Sequence, residues 1–150
     1  MVPELPIAIK SEGDIVAARQ YAREIAKTLG FGALDQSRIA TAVSEITRNV
    51  VKYATDSTGE MEVRELVSSD QQHGIEIVVR DGGPGIADIE EALRDGFSTG
   101  GSLGMGLSGA RRLMDELLID SIRGEGTTVT MRKWRPLTSR LGGLAKPTPQ

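Results

Sequence analysis

Asp81-Gly82-Gly83-Pro84-Gly85 and, about twenty residues on, Gly104-Met105-Gly106 join a carboxylate to two glycine turns that bare the backbone. The alternating run Ile75-Glu76-Ile77-Val78-Val79 ends at Arg80-Asp81, which predicts the carboxylate at the end of a strand where the chain turns sharply. There it can accept from an exocyclic amine such as that of adenine. Glycines that open a helix leave backbone N–H groups unpaired, and with the helix dipole these make an anion site suited to phosphates. The pattern describes a nucleotide site, base at one end and phosphates at the other.

A third group lies upstream. Glu45 and Asn49 are four residues apart on a predicted helix and share one face, and Lys52, seven residues from Glu45, continues the strip. Mg2+ takes oxygen ligands, keeps several waters and uses few protein groups beside phosphates, so an Asn side-chain oxygen suits it. Glu45 can then act as a base that orients a water or hydroxyl, which is as much as phosphoryl transfer asks of a side chain. Glu, Asn and Lys at this spacing also fit a solvated helix face, and each glycine segment alone fits a tight turn or a flexible linker.

Familiar nucleotide motifs are missing. Gly104-Met105-Gly106-Leu107-Ser108-Gly109 matches the letters of the dinucleotide fingerprint, but polar Phe97-Ser98-Thr99-Gly100-Gly101-Ser102 stands where a hydrophobic strand is required. No Gly-Lys-Ser or Gly-Lys-Thr follows a glycine loop, and no His-Arg-Asp occurs.

Composition narrows the classes further. A length of 150 residues fits one domain, expected over residues 1–135 with a frayed tail at 136–150, where Pro and Gly replace any periodicity. The net charge of −3 leaves no footprint for a polyanion, and 3% aromatics leave few rings for base stacking, so nucleic acid is not expected as a partner. Without cysteine and with His73 alone, no Cys/His metal site or disulfide framework can form. No apolar run approaches the roughly 18 residues of a membrane span, nor does the N-terminus read as a leader, so a cytoplasmic protein away from the membrane is expected.

The elements that must hold these residues read as follows. Leu5 to Lys10 is a short strand, and Ser11-Glu12-Gly13-Asp14 is a capping box for a helix to Leu29, closed by Gly30. Its inward face is Ile15, Ala18, Ala22, Ile25 and Leu29. A second helix starts near Asp35, stapled by Leu34 and Ile39, with Ile39, Val43, Ile46, Val50 and Tyr53 inward. Glu60 to Val67 and Ile75 to Arg80 form an antiparallel pair, with His73 in the loop between them. A short helical stretch near Ile89 to Arg94 and a polar lid from Phe97 to Gly106 precede a helix from Leu107 to about Leu117. Strands Leu118 to Ile122 and Thr127 to Trp134 flank a hairpin turn at Arg123-Gly124-Glu125-Gly126.

Glu45-Ile46-Thr47-Arg48-Asn49, Asp81 to Gly85, Gly104 to Leu107 and Gly124-Glu125-Gly126-Thr127 fall in the order and spacing of the four boxes of the GHKL ATPase superfamily, which the chain resembles from Leu5 to Trp134. The resemblance implies the Bergerat fold, a two-layer α/β sandwich with helices on one face of a mixed sheet. Asp14-Ile15-Val16-Ala17-Ala18-Arg19-Gln20, Ser44-Glu45, Asp95-Gly96-Phe97-Ser98-Thr99 and Arg112-Leu113-Met114-Asp115-Glu116 are more similar to the RsbT-type switch serine kinases of partner-switching systems.

By position, the resemblance implies ATP and Mg2+ as cofactors, Asn49 as metal ligand and Glu45 as catalytic base. It places Asp81 on the adenine amine with Thr127 beside it, and Gly83 and Gly85 shaping the pocket. Gly104, Met105, Gly106 and Leu107 would hold phosphates. Lys52 joins the nucleotide-binding set, although Lys52-Tyr53 looks more like the sensor-kinase version of that box.

The function so implied is an ATP-dependent protein-serine kinase that phosphorylates a STAS-domain antagonist protein and alternately binds a PP2C-type phosphatase regulator. The alternative is an anti-sigma factor kinase of the SpoIIAB or RsbW kind, which sequesters a sigma factor. A sensor histidine kinase catalytic domain fits less well, with no dimerisation helix pair and no histidine placed for autophosphorylation. A degenerate site that binds partners without nucleotide would make all four boxes decoys.

Overall fold

The computed structural model describes residues 6–53, 59–82, 103–122 and 126–136. The elements are β1 (Ile7–Ile9), α1 (Glu12–Thr28), α2 (Ala33–Tyr53), β2 (Gly59–Val67), β3 (His73–Asp81), α3 (Leu103–Leu113), β4 (Glu116–Ile122) and β5 (Gly126–Trp134). The sheet order is β1-β2-β3-β5-β4. All four pairings are antiparallel, so the described sheet is not mixed as expected, while the two-layer α/β sandwich stands.

Alternation sorts the sheet into two faces. Met61, Val63, Ile75, Ile77, Val79, Val129 and Met131 point toward the helices and are buried with Ile39, Val43, Ile46 and Val50 of α2. The opposite face holds charge. There Glu76 is only 2% exposed, covered by Arg64 Nε at 2.5 Å and Arg132 Nε at 2.8 Å. Arg132 also reaches Glu116 at 3.0 Å, and Trp134 Nε1 donates to the same carboxylate at 3.1 Å. Burial alone would raise the pKa of Glu76, but hydrogen bonds from Arg132 and Arg64 outweigh it and hold the carboxyl below the usual glutamate range.

Helix ends follow sequence signals. Asp14 Oδ2 accepts from the Lys10 and Ser11 amides at 2.8 and 3.2 Å, forming the acidic half of the capping box expected at α1. At the other end Gly30 has φ +94°, and Arg135 donates to the Leu29 carbonyl at 2.8 Å. Ile15, Ala18, Ala22 and Ile25 are buried as expected, and Leu29 is partly buried against the same core.

Several boundaries differ from expectation. The helix α2 begins at Ala33, which leaves Leu34 64% exposed in its first turn, so the staple with Ile39 does not form. Phe31 is the buried residue at that corner, and Gln36 Nε2 donates to its carbonyl at 2.9 Å. His73 is the first residue of β3, opposite Val67, rather than a loop residue. The third helix runs Leu103–Leu113 rather than from Leu107 to Leu117, because pairing of Glu116 and Leu117 with Arg132 and Met131 claims those residues for β4. Consequently Leu103 to Gly106 belong to a helix and not to the expected lid. The rest of that lid, the helical stretch near Ile89 to Arg94, the turn Arg123-Gly124-Glu125 and the tail beyond Pro136 lie outside the described residues.

Candidate functional site

The site is assembled at one end of the sandwich. Asp81 ends β3 and pairs in register with Thr127 at the start of β5, which in turn pairs with Ser121 near the end of β4. All three lie on the helix-facing side, two places along from Val79, Val129 and Ile119. Thr127 is buried, and its Oγ1 lies 2.9 Å from Ser121 Oγ. The Ser121 hydroxyl also donates to the Gly126 carbonyl at 3.3 Å. A carboxylate and two hydroxyls in one row offer acceptors to the amine edge of a flat heterocycle.

Glycine makes the row possible. Gly126 has φ +122°, and a Cβ there would collide with the Asp81 carbonyl oxygen and lie 2.9 Å from Gly82 Cα. Only glycine lets the start of β5 lie so close to Asp81 and Gly82.

The C-terminal half of α2 covers the same end. A Cβ on Gly59 would strike Val50 of α2 and come within 2.9 Å of the Arg80 carbonyl, so Val50 sits directly above the place where β3 reaches Asp81. On that stretch Ile46 and Val50 are buried, and Glu45 and Asn49 are half-buried on the flank beside them. Arg48 approaches Glu45 at 3.9 Å, and Lys52 is exposed on the final turn. Thr47, fully buried, turns its hydroxyl back to the Val43 carbonyl at 2.7 Å. It presents its polar atom to its own helix and leaves the strip to its neighbours.

Asn49 stands apart from these satisfied groups. Its Nδ2 is buried and has no hydrogen-bond partner. Buried amide groups in folded proteins are nearly always satisfied, so an amide terminus left open here fits a group kept for a ligand, whichever way the amide is turned. The donor set suits a magnesium-bound nucleotide: an amide and a carboxylate beside one another, with no cluster of three or more acidic or histidine groups that could hold a bare ion among the described residues.

The helix α3 closes the end. Its C-terminus meets Lys133, whose Nζ donates to the Leu113 carbonyl at 2.9 Å and lies 3.9 Å from Asp35 Oδ1 in the first turn of α2. Since α2 and α3 pack together, they run antiparallel, and the first turn of α3 points to the end that holds Asn49 and Asp81. Gly104, Met105 and Gly106 form that first turn, where N–H groups lack partners within the helix. Leu107 falls in the second turn with a buried side chain. Gly83 and Gly85 lie outside the described residues. Ser121 is the site residue that sequence reading missed; the only signal was its alternate position in a strand that ends opposite Thr127.

Comparison with known proteins accords with this arrangement. A model of the histidine kinase-like ATPase domain matches residues 10–133. The chain belongs to that family of ATPase domains, the GHKL group. Within it the chain is 49% identical over 128 residues to serine/threonine-protein kinase RsbT of Bacillus subtilis (strain 168), covering 85% of this chain and 94% of the relative. Anti-sigma F factor of Geobacillus stearothermophilus is 35% identical over 102 residues, covering 65% of this chain and 68% of that protein. Among solved structures, the RsbU and RsbW domains of Rv1364c from Mycobacterium tuberculosis align with a TM-score of 0.55 at 23% identity, over 89% of this chain and 34% of that one. The catalytic domain of histidine kinase ThkA aligns at 0.53 and 14% identity, over 98% and 100%. At such identities the structural likenesses speak for the fold.

Proposed function

We propose that the chain is an ATP-dependent protein-serine kinase that modifies a STAS-domain antagonist protein and alternately binds a PP2C-type phosphatase regulator. The observation that carries the reading is the buried, unpartnered Nδ2 of Asn49 on the helix face that holds Glu45, at the same end of the sandwich as the row Asp81-Thr127-Ser121. The 49% identity to RsbT supports it over nearly the whole of that relative.

In this reading Asp81 accepts the adenine amine, with the Thr127 hydroxyl beside it, and the first turn of α3 directs its N–H groups at the phosphates. Asn49 would hold Mg2+, which would supply charge neutralisation for the phosphates. Glu45 orients the acceptor serine and takes its hydroxyl proton on a carboxylate oxygen. As the serine oxygen bonds to the γ-phosphorus, the bond to the bridging oxygen breaks and ADP leaves. Lys52, on the exposed last turn of α2, is placed to meet phosphates or the partner. Such a switch protein works in the cytoplasm.

A second reading, sequestration of a sigma factor, draws on the likeness to anti-sigma F factor. Its shorter coverage ranks it below the first. Pull-downs from the source cell, with and without ATP, separate the two: a STAS-domain protein and a phosphatase regulator are expected. Recovery of a sigma subunit, with inhibition of transcription by the purified chain, would replace the first reading by the second.

A further inference from the structure

We propose that Lys133 is a positioning residue for the phosphate end of the site, acting through α3 from the opposite end of the molecule. The inference rests on the reading above, in which the first turn of α3 meets the phosphates.

Lys133 occupies an unexpected place. Along β5 the helix-facing positions are Thr127, Val129, Met131 and Lys133, and the last interrupts an apolar series directly opposite Ile75 in the register. The residue is 7% exposed, whereas Ile75 and Met131 are wholly buried. An amino group in such surroundings is costly unless it is well partnered. Its partners come from two helices and the link that follows one of them: the Leu113 carbonyl of α3 at 2.9 Å, Asp35 Oδ1 of α2 at 3.9 Å, and Asp115 Oδ1 between α3 and β4 at 3.8 Å.

Leu113 is the last residue of α3, and its carbonyl is one that the helix itself leaves unpaired. A lysine there both satisfies the carbonyl and complements the negative end of the helix dipole. Two more bonds fasten the same corner to β5. The Asp115 amide donates to the Arg132 carbonyl at 3.0 Å, and the Trp134 amide donates to Asp115 Oδ2 at 2.7 Å. Lys133 alone of these groups also reaches toward α2, through Asp35, and so sets α3 against the helix that carries Glu45 and Asn49.

The lever is long. At about 1.5 Å per residue α3 spans roughly 16 Å, so a tilt of about 4° at Leu113 moves the first turn by about 1 Å. A misplacement of about 1 Å is enough to weaken a geometry-dependent contact severely. The adenine row, built on β3, β4 and β5, does not ride on α3 and is not displaced by that tilt.

The test compares two ligands on the full chain. Affinities for magnesium-ATP and for adenosine are measured by calorimetry for the parent, Lys133→Met and Lys133→Arg, with thermal unfolding of each. Methionine keeps the buried apolar stem and removes the head group. The expected result is a loss of about tenfold in ATP affinity for Lys133→Met, a change of less than about twofold for adenosine, and recovery of ATP affinity in Lys133→Arg. Parallel weakening of both ligands, or parental ATP affinity in Lys133→Met, overturns the proposal. If Lys133→Met does not fold, Lys133→Gln keeps an N–H donor without the charge. An intermediate drop in the ATP-to-adenosine ratio then supports the proposal and an unchanged ratio overturns it. A parent that binds adenosine as tightly as ATP removes the phosphate-end reading itself, and the proposal with it.

Discussion

Asp81 stood out in the sequence as a carboxylate at a predicted strand end followed by glycines, and its place as the last residue of β3 is as read. Thr127 entered through the resemblance, and its pairing with Asp81 now gives it a physical basis. Ser121 was hidden, since a serine in a strand carries no local signal and its importance comes only from the cross-strand register. Asp81→Ala should remove a charge-assisted hydrogen bond of about 1.5–3 kcal/mol, roughly ten- to a hundredfold in adenosine affinity by calorimetry. Ser121→Ala should cost less, about 0.5–1.5 kcal/mol, because it acts through Thr127. Equal losses from the two would contradict this ordering. Asn49→Ala should abolish the gain in ATP affinity that magnesium gives while leaving adenosine binding near parental. An Asn49→Ala protein whose ATP affinity still rises with magnesium would move the metal elsewhere.

The helices and strands were read well wherever periodicity was strong and poorly where it was interrupted. In α2 the spacing of Ile39, Val43, Ile46 and Val50 located the buried face, and with it the flank that carries Glu45 and Asn49. The start of α3 was obscured by Gly104 and Gly106, which lower helix propensity at a helix's own first turn. Its end was obscured by Met114 to Leu117, which suit a helix locally, whereas Glu116 and Leu117 pair with β5 in the fold. Gly126→Ala should reveal the close approach of β5 to the Asp81 turn: the positive φ and the collision together predict a loss of at least about 1–3 kcal/mol in denaturant unfolding, with weakened adenosine binding. Stability as great as the parent's would mean that the ends of β3 and β5 can relax without cost. On the other sheet face, Glu76 has a lowered folded pKa, so its contribution is in place above the ordinary glutamate range. It is lost as pH falls through the lowered value. Glu76→Gln should therefore unfold more easily at neutral pH and show a shallower fall in stability below about pH 4. An acid limb of unchanged steepness would assign that fall to other carboxyls.

At the scale of the whole molecule, the two ends of the sandwich hold different groups. One gathers Asp81, Thr127, Ser121, Glu45 and Asn49 from four elements, and the other fastens α3 through Lys133, Asp115 and Trp134. Sequence alone pointed to ATP more clearly than to an acceptor, because nucleotide contacts are built from this chain's own residues while the acceptor is read on a partner's surface. No described helix is long and apolar enough to cross a membrane. Transfer to serine is tested by incubating the purified chain with γ-labelled ATP, magnesium and the proposed STAS-domain partner, followed by phosphoamino acid analysis. Label is expected on a partner serine with the parent, and intact ATP binding but label reduced by at least about a hundredfold with Glu45→Ala. Labelling by Glu45→Ala at the parental rate would remove Glu45 as the base, and an unlabelled partner beside a chain that binds ATP would contradict the kinase assignment itself.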